Sequence, residues 1–352
     1  MSVEFIGYIG AHNASEIHPH TGPAIVREHV ETVAKAHEAG GFDRALVAFG
    51  STSPESQLVV AHAASVTKTL GFMIAHRPGF TAPTLAARQL ATLDQFTGGS
   101  DAEMRKDGDH LTKDERYART NEYLDIVRQE WTSDKPFDYT GQFYRVEQAF
   151  GAVKPVQQPH IPIYFGGSSD AAIPVAGKHA DVYALWGESL AQVREAITTV
   201  RAAAAQHGRQ VRFSLSLRPV LADTEEAAWA RADAIVERVR ELRLAAGLPI
   251  SGHTPPNAGS LRLLQTAAAG QRIDKRLWTG VTALTGAAGN STGLVGTPEQ
   301  VADALLDYYD LGVSTFLIRG FDPLEDAIAY GRDLIPLVRD LVAERRSAAA
   351  AE

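Results

Sequence analysis

The sequence has no cysteine among its 352 residues. That absence excludes disulfide frameworks, thiolate zinc sites and cysteine nucleophiles, and it fits a cytoplasmic protein. Long apolar stretches are missing as well, since no segment approaches the roughly 20 apolar residues that a membrane helix needs. The first residues also lack the basic and apolar segments of a secretory signal. We therefore expect a cytoplasmic protein that has no contact with a membrane.

The sequence has fewer basic than acidic side chains. The chain carries 34 basic and 42 acidic side chains, a formal net charge of −8, so it offers no strong field for a nucleic-acid backbone. A hydrophobic content of 45% with 30 glycines is close to the globular average and excludes a disordered or collagen-like chain. The length allows either two ordinary domains or one large α/β barrel.

Short apolar runs alternate with longer amphipathic stretches along the whole chain. Such alternation predicts repeated βα units around a parallel sheet, that is, an α/β fold of the TIM-type (β/α)8-like barrel class. We expect one barrel domain over residues 1–345 and a C-terminal tail over 346–352. The expected strands are 3–9, 45–49, 71–75, 161–165, 182–185, 213–221 and 315–318. The expected helices are 24–39, 55–67, 84–96, 114–130, 171–177, 190–207, 225–242 and 298–311. Thr224 and Thr297 precede acidic residues and are good N-terminal caps.

The sequence shows seven expected strands, whereas a closed barrel of this class has eight. After the helix at 84–96, Thr97-Gly98-Gly99 passes into a polar segment, 102–114, that has no apolar run. The sequence therefore predicts a barrel that lacks its fourth strand. Two further stretches interrupt the repeat: 137–148 has the pattern of a small hairpin, and 245–293 is a long insertion before the last strand. Its Gly-rich part, 279–293, is expected to be a functional loop.

The sharpest local signal is the run from Ile163 to Asp170. An apolar strand opens into Gly166 and Gly167, then Ser168 and Ser169, and then a helix. Glycines let a backbone approach closely, and the first amides of a helix attract anions, so this pattern favours a phosphate site. The alternative is a Gly turn in which Ser169 is an ordinary helix cap, and the pattern alone leaves both open. It fits neither the Gly-x-Gly-x-x-Gly nor the Walker motif.

Other polar residues lie at expected strand ends, where a barrel builds its chemistry. His76 and Arg77 follow one strand, and Trp186 and Glu188 follow another. The alternatives are an Arg paired with a structural carboxylate and a hydrogen-bonded His with no catalytic role. Arg218 lies inside a strand and needs a buried or ligand-borne anion. No metal is expected, because the histidines of the loop after the first strand lack helical ligand spacing; these are His12, His18 and His20.

Several motifs, in order along the chain, resemble those of the luciferase-like flavin monooxygenases, and within them most closely the alkanesulfonate monooxygenases. The motifs are Ala75-His-Arg-Pro-Gly, Asp114-Glu-Arg-Tyr, Tyr164-Phe-Gly-Gly-Ser-Ser-Asp, Leu185-Trp-Gly-Glu, Leu294-Val-Gly-Thr-Pro-Glu-Gln and Gly312-Val-Ser-Thr-Phe-Leu-Ile-Arg-Gly-Phe. The resemblance spans nearly the whole chain.

This resemblance implies an enzyme that binds reduced FMN (FMNH2) delivered by a separate NAD(P)H-dependent FMN reductase. With O2, such enzymes oxidise a small organosulfur substrate, and the sulfonate enzymes release an aldehyde and sulfite. Carried over by position, the FMN phosphate is expected at Tyr117, Gly166, Gly167, Ser168 and Ser169. Trp186 and Arg77 are expected to line the flavin and substrate pocket, and 286–293 to be the lid that excludes water. Barrels of this family usually associate, so a homo-oligomer, a dimer or tetramer, is expected.

The departures from the family pattern fall among the polar residues that face the substrate. Ser53 stands where the sulfonate enzymes have a cysteine, Arg218 replaces a histidine, and Ser216 replaces an arginine. Phe321 replaces a tyrosine, and a lid arginine falls near Ala287. The candidate catalytic residues are therefore Arg218, His76, Trp186 and Ser53. Positive charge for a sulfonate or another anion is expected from Arg218, Arg77 and Arg319.

Three alternatives stay open. The missing strand and the substituted polar residues allow a natural or constructed deletion variant that is impaired or binds flavin without catalysis. The same barrel also serves oxidoreductases that use the deazaflavin F420 and need no oxygen. A sugar-phosphate barrel enzyme would explain the phosphate site but not the Trp186 segment.

Overall fold

The computed structural model describes residues 2–50, 53–76, 81–93, 111–250, 258–287, 289 and 291–351. Its strands are β1 Glu4–Tyr8, β2 Arg44–Val47, β3 Gly71–Ile74, β4 Phe137–Thr140, β5 Arg145–Ala149, β6 Tyr164–Phe165, β7 Val182–Trp186, β8 Arg212–Leu221, β9 Arg272–Ile273, β10 Leu277–Trp278, β11 Gly293–Gly296 and β12 Val313–Ile318. Its α-helices are α1 Arg27–Ala39, α2 Ser56–Ser65, α3 Pro83–Leu93, α4 Lys113–Thr132, α5 Ala172–His179, α6 Leu190–Ala205, α7 Glu225–Ala245, α8 Ala258–Ala269, α9 Gly280–Thr285, α10 Pro298–Leu311, α11 Pro323–Ala329 and α12 Ile335–Ala351.

Seven parallel strands form the barrel sheet in the order β3-β2-β1-β12-β8-β7-β6. Each is followed by at least one helix, so the expected α/β architecture is confirmed. Within the described ranges β3 pairs only with β2 and β6 only with β7, so the sheet is not closed. The polar segment at which we expect the fourth strand to be lost lies, up to residue 110, outside the described residues, and the deletion hypothesis stays a prediction.

The insertion before the last strand is more regular than the sequence predicts. Residues 279–293 were expected to form a loop, and this is wrong in part because they contain α9 and begin β11. β11 pairs in parallel with 218–221 of β8, beyond the residues that pair with β7, and antiparallel with β10. Val281 and Leu294 are buried at 0% and 1% exposure, so apolar side chains among the small residues stabilise these elements.

Local signals place most elements within a few residues of their expected bounds. Thr297 and Thr224 accept hydrogen bonds from the amides of Gln300 and Ala227, as N-caps do. The hairpin expected at 137–148 is formed by β4 and β5. The strand expected over 161–165 is shorter, because only Tyr164 and Phe165 pair with β7.

Side chains along the barrel strands alternate between the interior of the barrel and the surrounding helices, as the two-residue period of a strand requires. One buried cluster fills the interior: Ile6, Met73, Tyr164, Val182 and Leu317. The alternate residues, among them Phe5 and Leu215, belong to the cluster that packs against the helices. None of the helices within the described ranges is both long and apolar enough to span a membrane.

Candidate active site

The carboxyl ends of the barrel strands bring the expected site residues to one rim. Residues on or after seven strands lie there: Tyr8 (β1), Ser53 (β2), His76 (β3), Gly166 to Ser169 (β6), Trp186 (β7), Arg218 (β8) and Arg319 (β12). Parallel strands end at the same edge of a sheet, and barrel enzymes build their sites from those ends. Of the other expected residues, Tyr117 lies on α4 and Arg77 lies outside the described residues.

Gly167 lies where backbone and side chains approach closely. A Cβ at this position would lie 2.7 Å from Tyr117 Oη and 3.0 Å from Ala172 Cβ, distances that real Cβ atoms do not adopt without a shift of the neighbour. Tyr183 Oη donates a hydrogen bond to the Gly167 carbonyl oxygen at 2.6 Å. Tyr117 and Ser169, which come from separate parts of the sequence, therefore flank one glycine. We call Tyr117, Gly167 and Ser169 the glycine cradle.

Ser169 does not cap the helix that follows it. The N-cap of α5 is Ala171, which makes no side-chain cap bond. The Ser169 carbonyl accepts from the amides of Ala172 and Ile173, but the Ser169 hydroxyl is buried and has no hydrogen-bond partner within the described residues. A buried hydroxyl without a partner is costly. This geometry favours the phosphate reading over the helix-cap alternative, because a phosphate oxygen would accept from this hydroxyl.

His76 follows β3 at the same rim. Its Nε2 lies 2.6 Å from Tyr123 Oη, and the two rings are 5.7 Å apart. Burial lowers the pKa of His76 to about 4, so the imidazole is neutral at pH 7. A neutral imidazole here can exchange a hydrogen bond with Tyr123 but carries no charge toward an anion.

Trp186 and Ser53 differ in burial. Trp186 ends β7, is half-buried and pairs with Ser216 of β8. The next polar residue, Glu188, is 6% exposed and accepts hydrogen bonds from Arg262 at 2.7 to 3.0 Å. Ser53 is exposed, and its amide donates to the Gly50 carbonyl. Glu188 is thus engaged in an ion pair with α8, whereas Trp186 faces the rim.

Arg218 is fully buried and its anion comes from the protein itself. Its Nη1 lies 2.6 Å from Glu16 Oε2, its Nη2 donates to the Gly320 carbonyl at 2.8 Å, and its Cζ lies 3.5 Å from the centre of the Phe321 ring. Burial, followed by repulsion from Arg319, lowers the pKa of Arg218 to about 10, which leaves it charged at pH 7. The expected charge of Arg218 toward a ligand is therefore already compensated.

Glu16 is a charged residue of this rim that the sequence did not reveal. It lies in the loop between β1 and α1 and also pairs with Arg319, whose Nη2 is 3.1 Å from Glu16 Oε1. Burial raises the pKa of Glu16, but attraction to Arg218 and Arg319 outweighs burial and holds the pKa below its ordinary value. The only sequence signal was the need of Arg218 for an anion, which did not say where along the chain that anion lies.

The glycine cradle fits the phosphate of a flavin mononucleotide. It combines the hydroxyl groups of Tyr117 and Ser169 with a glycine turn just before a helix, a combination that suits an anion. Trp186 adds an aromatic surface at the neighbouring strand end. The rim can therefore bind an anionic, ring-bearing cofactor at β6 and β7, and a polar ligand near Arg319.

The chain is similar to several known proteins. The family model described as luciferase-like monooxygenase matches residues 3–315. Among solved structures, riboflavin lyase RcaE with modified FMN and riboflavin has a TM-score of 0.78 at 18% identity and covers 97% of this chain and 92% of its own. EDTA monooxygenase EmoA from Chelativorans sp. BNC1 has a TM-score of 0.75 at 19% identity, covering 97% and 94%. An F420-dependent secondary alcohol dehydrogenase has a TM-score of 0.67 at 16% identity, covering 96% and 99%. At these identities the likeness to solved structures shows the fold.

Proposed function

Because this chain belongs to the luciferase-like monooxygenase family, we propose that it is a flavin-dependent monooxygenase that uses reduced FMN and O2. The reduced FMN would come from a separate NAD(P)H-dependent FMN reductase. The substrate would be a small organosulfur compound, with an organosulfonate as the first class to test. In that reaction the carbon–sulfur bond breaks, and the products are an aldehyde, sulfite, water and oxidised FMN.

The observation that carries this proposal is the buried hydroxyl of Ser169, which has no hydrogen-bond partner within the described residues and comes two positions after Gly167. Reduced FMN, when bound, would supply the electrons that activate O2. Ser169 and Tyr117 would donate to its phosphate, and Gly166 and Ser168 would contribute the remaining backbone of the same turn. Trp186 would pack beside the flavin ring and exclude water.

The remaining candidate residues would act on the substrate side. His76, neutral at pH 7, would hold a hydrogen bond with Tyr123 and shape the pocket near β3. Ser53 would offer a hydroxyl at the exposed end of β2. Arg319, which is 26% exposed, would contact an anionic head group, and Arg218 would position Glu16 rather than touch the substrate.

The test is oxygen-dependent release of sulfite from a series of alkanesulfonates of increasing chain length, with purified protein, FMN, NADH and an FMN reductase. We expect sulfite only when protein, reductase and O2 are all present. Ser169→Ala should raise the FMN concentration needed for half-maximal rate, whereas Ser189→Ala, a helix-cap change away from the cradle, should not.

Two outcomes would contradict this reaction. Flavin binding without any O2-dependent product would indicate a non-catalytic relative. Reduction of F420 by an alcohol under anaerobic conditions would indicate the deazaflavin alternative. We test it because an F420-dependent secondary alcohol dehydrogenase has a similar fold.

A further inference from the structure

A carboxylate of the protein lies between two arginines at the rim. Glu16 Oε2 is 2.6 Å from Arg218 Nη1, and Glu16 Oε1 is 3.1 Å from Arg319 Nη2. The three side chains, which we call the rim charge cluster, therefore carry two positive charges and one negative charge. Two further carboxylates, Asp322 and Asp326, share Arg231, and Asp322 also lies 2.5 Å from His18 Nε2, so both belong to a separate set of ion pairs.

Only one of the two arginines can reach a ligand. The Arg218 side chain is 0% exposed and is fixed by the Gly320 carbonyl and the Phe321 ring. The Arg319 side chain is 26% exposed, and its Cζ lies 4.9 Å from the Tyr8 ring centre. A head group that enters the rim would therefore contact Arg319, with the Glu16 carboxylate as its neighbour.

The backbone of the loop holds Glu16 in this position. Ser15 and His18 exchange two backbone hydrogen bonds across Glu16, at 3.0 and 3.2 Å. Ser15 Oγ donates to the Phe321 carbonyl at 2.6 Å, which ties the turn to the segment after β12. A ligand anion that replaced the Glu16 carboxylate would have to break its ion pair with the buried Arg218.

We propose that Glu16 is a specificity-determining residue that makes the rim select a singly charged head group over a doubly charged one. The proposal rests on the proposed function, because the anion in question is the head group of the substrate. One excess positive charge on the rim charge cluster matches one negative charge, such as a sulfonate or carboxylate. A second negative charge would lie beside the Glu16 carboxylate and be repelled.

The test compares methanesulfonate, a monoanion, with sulfate, a dianion whose sulfur and oxygen atoms offer a closely similar head. Dissociation constants are measured by tryptophan fluorescence on the flavin-free protein at constant ionic strength, so the result is independent of flavin binding and turnover. We expect the wild type to bind methanesulfonate more tightly than sulfate. In Glu16→Gln the preference for methanesulfonate should shift toward sulfate by at least about tenfold. The exposed Glu344→Gln serves as the matched control and should leave the ratio unchanged.

A second variant guards against a folding defect in Glu16→Gln. Arg319→Gln leaves the Glu16–Arg218 pair in place and lowers the charge of the cluster from +1 to zero, so methanesulfonate binding should weaken at least about tenfold. An unchanged anion ratio in folded Glu16→Gln would overturn the proposal. So would tighter binding of sulfate by the wild type, or binding of neither anion by any variant. Loss of flavin binding alone would contradict the proposed function but not this inference.

Discussion

At the scale of single residues, a change at Ser169 should weaken ligand binding without lowering stability. The Ser169 hydroxyl has no partner within the described residues, so Ser169→Ala should leave the thermal midpoint of the flavin-free protein unchanged or raise it, because an unpartnered buried hydroxyl is costly. A lost hydrogen bond to a charged group is worth about 1.5–3 kcal/mol, and the FMN dissociation constant should therefore rise roughly 10- to 100-fold. Calorimetry and flavin titration of the same sample measure both.

Ser189→Ala is the matched control, with the opposite pattern. Ser189 caps α6 through a reciprocal bond with Gln192, and loss of such a cap costs about 1 kcal/mol of the free energy of unfolding. Its FMN dissociation constant should not change. A Ser169→Ala protein that loses stability while it keeps its FMN affinity would show that the hydroxyl is structural.

Among single residues, a local motif could be predicted from the sequence, whereas a contact between distant residues could not. The motif around Gly167 predicted an anion site from local order alone, because strand, glycines, hydroxyls and helix are contiguous. Arg218 predicted an anion but not its identity, since Glu16 lies about two hundred positions away and meets Arg218 only through the fold. Long-range pairs of this kind leave no local pattern in one sequence.

At the scale of elements, α8 is tied to the end of β7 by an ion pair. Arg262 donates to the buried Glu188 carboxylate at 2.7 Å, with the Arg262 side chain 27% exposed. Removing the partner of a buried charge is strongly destabilising, and with this partial exposure we expect Arg262→Gln to lower the free energy of unfolding by about 3 kcal/mol. Hydrogen exchange should accelerate first in Ala258–Ala269.

The exposed Arg194→Gln on α6 provides the comparison for that change. It removes the same charge from a neighbouring helix without leaving a buried carboxylate, so both unfolding and exchange should stay near wild type. Equal effects of the two changes would mean that net charge, and not the Glu188 pair, accounts for the result.

Elements with strong periodicity or good caps were predictable, and short ones were not. α10 begins and ends where the sequence indicates, because Thr297 caps it and Gly312, at a φ of 109°, ends it. β9, β10 and β11 have two to four residues each. Such strands are defined by pairing with β8 and with one another, which no local pattern encodes.

At the scale of the whole molecule, stability should depend on pH through histidines that are buried without charge. Burial lowers the pKa of His37 and His76 to about 4, and burial with repulsion from Lys178 lowers that of His179 to about 2. Because the folded pKa values lie below the unfolded value of about 6.5, the unfolded chain binds more protons. The stabilisation is fully present above pH 6.5 and is lost progressively as the pH falls from 6.5 to about 4 for His37 and His76, and to about 2 for His179.

Urea unfolding between pH 7 and 4.5 measures this effect. Up to three protons are taken up on unfolding, which gives a slope of at most about 4 kcal/mol per pH unit from these groups. His37→Gln should reduce the slope by about 1.4 kcal/mol per unit. A slope that does not change in this variant would show that His37 is not neutral in the folded protein.

The overall architecture was predictable because the βα rhythm persists over the whole chain, and seven expected strands form the parallel sheet. Within the part of the chain that the structure describes, no strand joins β3 to β6, so cofactor binding is the central question for the molecule as a whole. If the deletion hypothesis is right, the rim lacks one of the eight strand ends of a closed barrel, whereas the glycine cradle is kept.

The most direct test is an anaerobic titration of the protein with reduced FMN and with reduced riboflavin, which lacks the phosphate, followed by tryptophan fluorescence. We expect saturable quenching by reduced FMN, tighter binding of reduced FMN than of oxidised FMN, and at least about tenfold weaker binding of reduced riboflavin. The difference between FMN and riboflavin should shrink in Ser169→Ala. Equal affinity for reduced FMN and riboflavin, or no binding of either by a protein that unfolds cooperatively, would contradict this expectation.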